Sequence, residues 1–358
     1  MNIRVEAVSP AQRRARPPAR DLGFGRHFSD HMLLWDYDAE RGWHDARIVP
    51  FGPLSLDPAC MALHYGQQIF EGIKAYHGDD GGLRIFRLPK YVERMQRSAA
   101  RMCMPPPDAA GLQQAIRELV LLDRDWVPSD PDGALYIRPN MLAVDPYLGV
   151  RASQSYLLYV INSPVGAYYP EGFNPVSIMV EDRYVRASQG GVGEAKTGGN
   201  YAATLLSQID AKRQGYTQVL WLDGRERRYV EEVGTMNIFF RFDDEVITSP
   251  LAGTVLPGVT RDSVLHLLRE WKSCRVTERP LAIDEVIEAA GSGRLCEAFG
   301  TGTAAVIAPV SHFAYKGQVY QVGDGLTGTL ARQLFDHIND LQHGRRPDPL
   351  GWVPRIDL

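Results

Sequence analysis

The amino-acid sequence predicts a mixed α/β fold, α+β-like in how its elements follow one another, built as two domains. Three observations carry that expectation. At 358 residues the chain is long enough to bury a core in each of two domains. Helical and strand patterns intermingle, but the strands of the second half come in quick succession, as in an antiparallel meander, rather than alternating regularly with helices. Near the middle lies "SPVGAYYPEGFNP", with three prolines and two glycines, which reads as an interdomain connection.

Taken in order, residues 1–22 are expected to be a disordered lead-in. They lack the apolar centre of a secretory signal, and three prolines spoil the amphipathic helix of a transit peptide. A small N-terminal domain is expected over 23–163. There "PKYVERMQRSAARM" predicts a helix with Pro89 in its first turn and Val92, Met95 and Ala99 on one face. "DAAGLQQAIRELVLL" predicts the next helix, N-capped by Asp108, with Leu112, Ile116 and Leu119 as its apolar stripe. "ALYIRP" and "SYLLYVIN" are β-branched and aromatic enough to be strands. After a linker over 164–175, a larger C-terminal domain is expected over 176–358, opening with the strand "VSIMVE". A helix is expected to begin near Asn200 and run through Leu205 and Ile209 until Gly215 stops it. Strands "QVLWL", "RRYVEE" and "MNIFFRF" follow. "GVTRDSVLHLLREW" is a helix directly after an "LPG" turn, and "RLCEAFG" is a strand running into the glycine turn "GTGTAAV".

Composition narrows the function. With 44% apolar and 23% charged residues and a net charge of −4, nothing invites nucleic acid or an acidic membrane surface. No apolar run approaches a membrane span. The four cysteines show no CxxC or metal-ligand spacing, and the nine histidines do not pair at such spacings, so reduced thiols in the cytoplasm and no metal are expected.

The chemistry centres on "GGVGEAKTGGNY", Gly190 to Tyr201. Of the 39 basic residues only six are lysine, so this chain uses arginine wherever a bare positive charge will do. Lysine alone of the two can lose its proton and act as a nucleophilic amine. The glycines on either side of Lys196 let backbone approach a ligand closely. Two familiar motifs fit poorly. "GGVGEAKT" has Ala195 where a P-loop needs glycine, and the polar "DRYVRASQ" precedes it instead of a buried strand. "GTGTAA", Gly300 to Ala305, matches a weak dinucleotide fingerprint, but Pro309 follows where that fingerprint needs a helix.

A four-part constellation holds together better. Lys196 can form an imine with an aldehyde if its amine is desolvated. Glu232 in "VEEVGTMN" suits a protonated pyridine nitrogen, while Glu231 beside it reads as a surface carboxylate. Gly258 to Thr260 open a helix, which is a natural anion site, and the "GTGT" turn offers backbone amides for another. Imine lysine, pyridine-directed acid and two phosphate-suited turns together describe pyridoxal 5'-phosphate.

With those residues assembled, the sequence resembles the branched-chain amino-acid aminotransferases of fold-type IV, class IV. "FSDHMLLWDY", "LHYGQQIFEGIKAY", "YVERMQRSA", "LYIRP", "PVGAYYPEG", "GGVGEAKTGGNYAAT", "EVGTMNIF", "LPGVTRDSVL" and "FGTGTA" follow that family's order over residues 24 to 310. The resemblance implies a small α/β domain beside a larger pseudo-barrel domain. It implies that Lys196 holds the cofactor and then serves as the base. Tyr201 would bond the phenolic oxygen, Glu232 the pyridine nitrogen, and Arg94 the phosphate, helped by the Val259 and Thr260 amides and Thr303. Thr235 and the Thr303–Ala304 turn would hold the substrate α-carboxylate. Phe24, Tyr65, Phe70 and Tyr168 would line the apolar pocket for leucine, isoleucine or valine, and Tyr136 and Arg138 would meet the distal carboxylate of glutamate. Val150 would reach in from a partner subunit, so a homodimer is implied, with branched-chain amino acids, glutamate and 2-oxo acids as substrates, in keeping with amino-acid biosynthesis.

Two departures stand out. Ala305 and Ala308 occupy the positions where some members carry a redox-sensitive CxxC, so no such thiol switch is expected. "RPNMLAVDP" after Arg138 also differs from the family pattern. The nearest rivals on the same scaffold are a D-amino-acid aminotransferase and an aminodeoxychorismate lyase, which should lack the "VGTMN" and "FEGIKAY" context. A phosphate-binding protein built on "GGVGEAKT" is a more distant one.

Overall fold

The computed structural model describes residues 1–166 and 173–356. The chain divides into two compact units, Met1–Tyr168 with Ala195–Gly198 and Asp340–Leu358, and Tyr169–Glu194 with Gly199–Asn339. The expected linker falls largely on residues 167–172, outside the described residues, as does Tyr168.

The first unit is built on one sheet. Its strands are β1 (Arg4–Val5), β2 (His31–Asp38), β3 (Gly42–Pro50), β4 (Gln68–Phe70), β5 (Ile73–His77), β6 (Leu83–Ile85), β7 (Ala134–Ala143), β8 (Ser155–Val165) and the C-terminal Arg355–Ile356. They run in the order β1-β3-β2-β8-β7-β5-β6 and then Arg355–Ile356, with β4 also on β7. The helices are α1 (Met61–Tyr65), α2 (Leu88–Arg101) and α3 (Ala109–Leu122). On α2, Val92, Met95 and Ala99 are buried as the periodicity predicts, but the buried face also takes in Arg94 and Ser98. Two polar residues on an apolar stripe need partners there. Asp108 caps α3 by accepting the Gly111 N–H at 2.6 Å, and Leu112, Ile116 and Leu119 are fully buried.

The lead-in is not disordered. Arg4 and Val5 pair in parallel with Arg47 and Ile48, Val8 N–H donates to His31 Nε2 at 3.0 Å, and Arg14 N–H donates to Asp30 Oδ1 at 2.9 Å. Its order comes from partners distant in sequence, and Pro10 opens a short 3-10 turn, Pro10–Gln12, a first-turn place where proline's fixed φ fits.

The second unit holds β9 (Val176–Glu181), β10 (Gln218–Leu222), β11 (Val230–Val233), β12 (Met236–Phe242), β13 (Glu245–Thr248), β14 (Arg275–Glu278), β15 (Leu295–Gly302), β16 (Val306–Tyr315) and β17 (Gln318–Gln321). The order β11-β10-β9-β16-β15-β12 closes on itself through the β11–β12 pairing, which makes the barrel-like sheet that the resemblance implies. Closure removes the exposed edges of these six strands. Trp221, Phe239, Phe240, Phe299 and Phe313 are fully buried in this unit. The expected meander is present as β10, β11 and β12, all antiparallel. After the glycine turn the chain continues as the strand β16, as Pro309 predicts.

Three local expectations need correction. "RRYVEE" forms a strand only from Val230, and Glu231 is buried, because β11 is paired along both edges. The helix expected from Asn200 to Gly215 is broken into α4 (Gly198–Ala202) and α5 (Leu205–Arg213). Thr204 sits at the break, with its hydroxyl donating to Tyr201 C=O at 2.7 Å, a local bond that competes with the helical ladder. Leu205 and Ile209, through which that helix is expected to run, lie on α5 and are exposed. The remaining helices are α6 (Val259–Trp271), α7 (Ile283–Gly291) and α8 (Thr329–Gln342). Among the described residues no helix is long and apolar enough to cross a membrane.

Candidate active site

Within the first unit, the link Ala195–Gly198 lies against α2 and β4. Lys196 N–H donates to Ser98 Oγ at 2.9 Å, and Lys196 C=O accepts from Phe70 N–H at 2.9 Å. Thr197 Oγ1 donates to Gln68 C=O at 2.7 Å and bridges Ile69. The lysine backbone is therefore fixed on both sides, and its Nζ lies 4.7 Å from the centroid of the Phe70 ring. The Lys196 ammonium is lowered from 10.5 to about 8, chiefly by burial and in part by Arg94 and Arg138, against Glu71 and Tyr136. Desolvation dominates because it penalises only the charged form.

Arg94 forms a two-point ion pair with Glu71, Nε to Oε1 at 2.7 Å and Nη2 to Oε2 at 2.8 Å. Sequence reasoning missed Glu71. Its signal was an acid inside the apolar "IFEGIKAY", a context in which a carboxylate is buried only with a partner. Strand alternation places Tyr136 and Arg138 on one face of β7. Arg138 Nη2 donates to Tyr136 Oη at 3.1 Å, and its guanidinium lies 4.9 Å from the Phe70 centroid. Phe24 meets Tyr136 edge-on at 4.9 Å. Phe24, Phe70, Arg138, Tyr136 and Lys196 are thus linked by contacts within this unit. Tyr65 and Val150 fall in a second group. The Tyr65 hydroxyl donates to Leu148 C=O, and Val150, 85% exposed, stands on the same loop with exposed Tyr147 and Leu148.

Within the second unit, Glu232 is buried on β11. Its Oε2 lies 2.7 Å from Arg186 Nε, and its Oε1 accepts from Leu256 N–H at 2.8 Å and Asn237 Nδ2 at 3.1 Å. Donors so placed favour the charged form of a carboxylate. Arg186 and Asn237 were also missed, since each is recognisable only by its contact with Glu232. Cross-strand registers place Glu232, Asn237 and Thr301 in one row. Val259 and Thr260, both buried, begin α6. Its N-cap is Gly258, which has no side chain to cap the first turn. A Cβ at Gly258 would lie 2.0 Å from Asn237 Oδ1, so only glycine fits there. Thr235 is exposed in the β11–β12 turn, Thr303 and Ala304 are half-buried in the β15–β16 turn, and Tyr201 is half-buried on α4.

Comparison with known proteins agrees over nearly the whole chain. Residues 68–313 match the family model described as amino-transferase class IV. Branched-chain-amino-acid aminotransferase 2 of Bacillus subtilis (strain 168) is 48% identical, over 99% of this chain and 97% of that relative. The branched-chain-amino-acid aminotransferase of Mycolicibacterium smegmatis is 44% identical over 94% of this chain and 92% of its own. Among solved structures, the branched-chain amino acid aminotransferase of Escherichia coli superposes with a TM-score of 0.75 at 28% identity, covering 90% of this chain and 98% of that one. A T.th. branched-chain amino acid aminotransferase, solved with pyridoxamine 5'-phosphate, gives 0.74 at 29% identity, covering 90% and 97%.

Proposed function

This chain belongs to the class IV aminotransferases, and from that premise we propose that it is a branched-chain-amino-acid aminotransferase. It moves the amino group of leucine, isoleucine or valine to 2-oxoglutarate, reversibly, using pyridoxal 5'-phosphate. The observation that carries this reading is Lys196: its backbone is fixed by Ser98 and Phe70, and its amine is lowered to about 8. The full-length likeness to branched-chain enzymes supports the substrate class.

The residues present fit that cofactor. Arg94 is a buried cation, α6 opens on a glycine N-cap that offers no capping side chain, and Glu232 is a buried carboxylate fixed by Arg186. Pyridoxal phosphate supplies an aldehyde for amine attack and a ring that withdraws the electron pair of a Cα–H bond. Lys196 Nζ is the nucleophile, and as the free amine it takes the proton from the substrate Cα. With its amine lowered to about 8, roughly a tenth is neutral at pH 7. Arg94, the Val259 and Thr260 amides and Thr303 hold the phosphate. Glu232 keeps a proton on the ring nitrogen, and the Tyr201 hydroxyl bonds the phenolic oxygen. Thr235 and the Thr303–Ala304 turn take the α-carboxylate. Phe24, Tyr65, Phe70 and Tyr168 receive the aliphatic side chain, and Tyr136 with Arg138 receives the distal carboxylate of glutamate.

Two further parts belong to this proposal: a cytoplasmic homodimer, and Val150 reaching in from a partner subunit. The exposed apolar loop around Val150 supports the second of these.

The visible spectrum of the purified enzyme tests the reading. A yellow band that leucine bleaches and 2-oxoglutarate restores is expected, and Lys196→Ala abolishes turnover while the fold survives. A protein that stays colourless when supplied with pyridoxal phosphate overturns it.

A further inference from the structure

β7 carries Tyr136, Arg138 and Asn140 at alternate positions, so their side chains leave one face of the sheet. The registers extend this face. Lys74 and Ser163 flank Tyr136, Ile161 lies beside Arg138, and Phe70 and Tyr159 flank Asn140. Three polar atoms here, Arg138 Nε, Asn140 Oδ1 and Ser163 Oγ, are buried with no hydrogen-bond partner among the described residues. A buried polar group left unmatched is costly. A run of them on one face is therefore suited to a polar ligand.

The charge on the face is one-sided. Arg138 forms no ion pair among the described residues, and its guanidinium lies over the Phe70 and Tyr136 rings at 4.9 and 5.2 Å. Lys74 is a second, buried cation, its ammonium lowered to about 8 by burial. The Tyr159 hydroxyl is pushed up by burial and drawn back by Arg138, which places it in the same field while keeping it neutral. None of the other side chains on this face is a carboxylate. Phe70 joins the face to the reactive amine, because Lys196 Nζ and the Arg138 guanidinium both lie over its ring.

We propose that Asn140 is a specificity-determining residue that helps Arg138 and Tyr136 take the distal carboxylate of a dicarboxylic amino donor or 2-oxo acid acceptor. This rests on the functional reading above, and it gives a role to the "RPNMLAVDP" departure. Arg138 donates to one carboxylate oxygen. The Asn140 amide, whose two ends exchange by a half-turn, presents its NH2 to the other. Aliphatic substrates use the Phe24 and Phe70 rings and make no demand on Asn140.

The test pairs ligands that differ only at the distal end. Glutarate and 4-methylvalerate binding to the cofactor-loaded enzyme is measured beside the half-reactions with glutamate and leucine, for the parent, Asn140→Leu and Asn140→Asp. Asn140→Leu keeps the volume and removes the amide. It is expected to weaken glutarate, and raise KM for glutamate and 2-oxoglutarate, by about tenfold, the worth of one charge-assisted hydrogen bond. Asn140→Asp puts a negative charge at the same shape and is expected to lose more. Leucine and 4-methylvalerate stay within about twofold in both variants, which also reports that the variants are folded. Equal losses for both ligand classes, no loss of glutarate in either variant, or a parent that accepts leucine but not glutamate would each overturn the assignment. A parent that turns over neither amino acid overturns the functional reading itself.

Discussion

Glu71 and Arg94 form a two-point ion pair in which the carboxylate is 0% and the guanidinium 4% exposed. The pair completes a loop of contacts around Lys196. Lys196 C=O binds Phe70 N–H, Phe70 precedes Glu71, Glu71 holds Arg94, and Ser98, one turn on from Arg94, accepts Lys196 N–H. Removing one side of a buried pair strands the other charge, at a cost of about 3–5 kcal/mol. Glu71→Gln should therefore lower the melting temperature and weaken pyridoxal phosphate binding. Glu71→Gln with Arg94→Met should recover stability but not cofactor affinity. Unchanged cofactor affinity in Glu71→Gln would show that the pair does not position Arg94.

That loop also marks what the sequence could and could not reveal. Lys196 and Glu232 stand out in the sequence because the residue type itself carries the chemistry and local context places it, whereas Arg94 stands out only through the family likeness. Glu71, Ser98 and Arg186 act through contacts 23, 98 and 46 positions away, and single-sequence reading sees no such pairing. Elements with a full apolar period and end signals, such as α2, α3 and α6, were read nearly to their ends. The helix after Lys196 was not, because one Thr204 hydroxyl interrupts it. The N-terminal segment was misread because its order is lent by β3, Asp30 and His31.

The lowered Lys196 amine gives a pH-dependent stability with a definite sign. Between about 8 and 10.5 the unfolded chain holds a proton that the folded one has lost, so stability rises with pH through that window. Below it, the buried charge is a steady cost. In cofactor-free protein, Lys196→Met should melt above the parent at pH 7, and the gap should narrow as pH climbs towards 10. Scanning calorimetry across that range decides the matter, since a gap independent of pH would mean that the amine is not lowered.

Arg186 is a buried cation paired with the buried Glu232. Its Nε lies 2.7 Å from Glu232 Oε2, and in Arg186→Met the carboxylate would lose that cation while keeping the Asn237 and Leu256 donors. Losing an adjacent positive charge in a buried place raises a carboxyl by about 1–3 units. The acid limb of the kcat/KM profile should move to higher pH by that amount, while Arg186→Lys should leave it nearly in place. An unmoved limb in Arg186→Met would mean that Glu232 does not owe its charge to Arg186.

Gly72 makes room for Tyr136. A Cβ at Gly72 would lie 1.9 Å from Tyr136 Oη and 2.8 Å from Cζ, and the glycine's φ is not in the left-handed region, so the constraint is space rather than backbone. Tyr136 cannot yield freely, because its hydroxyl accepts from Arg138 Nη2 and its ring meets Phe24. Gly72→Ala should cost about 1–3 kcal/mol, as overpacking does, and should raise KM for glutamate by displacing both halves of the Tyr136–Arg138 pair. Adding Tyr136→Phe removes the nearest clashing atom, so part of the lost stability should return while the glutamate KM stays high. If Gly72→Ala melted and bound glutamate like the parent, the tyrosine would have somewhere to go, and the glycine there would need a different reason.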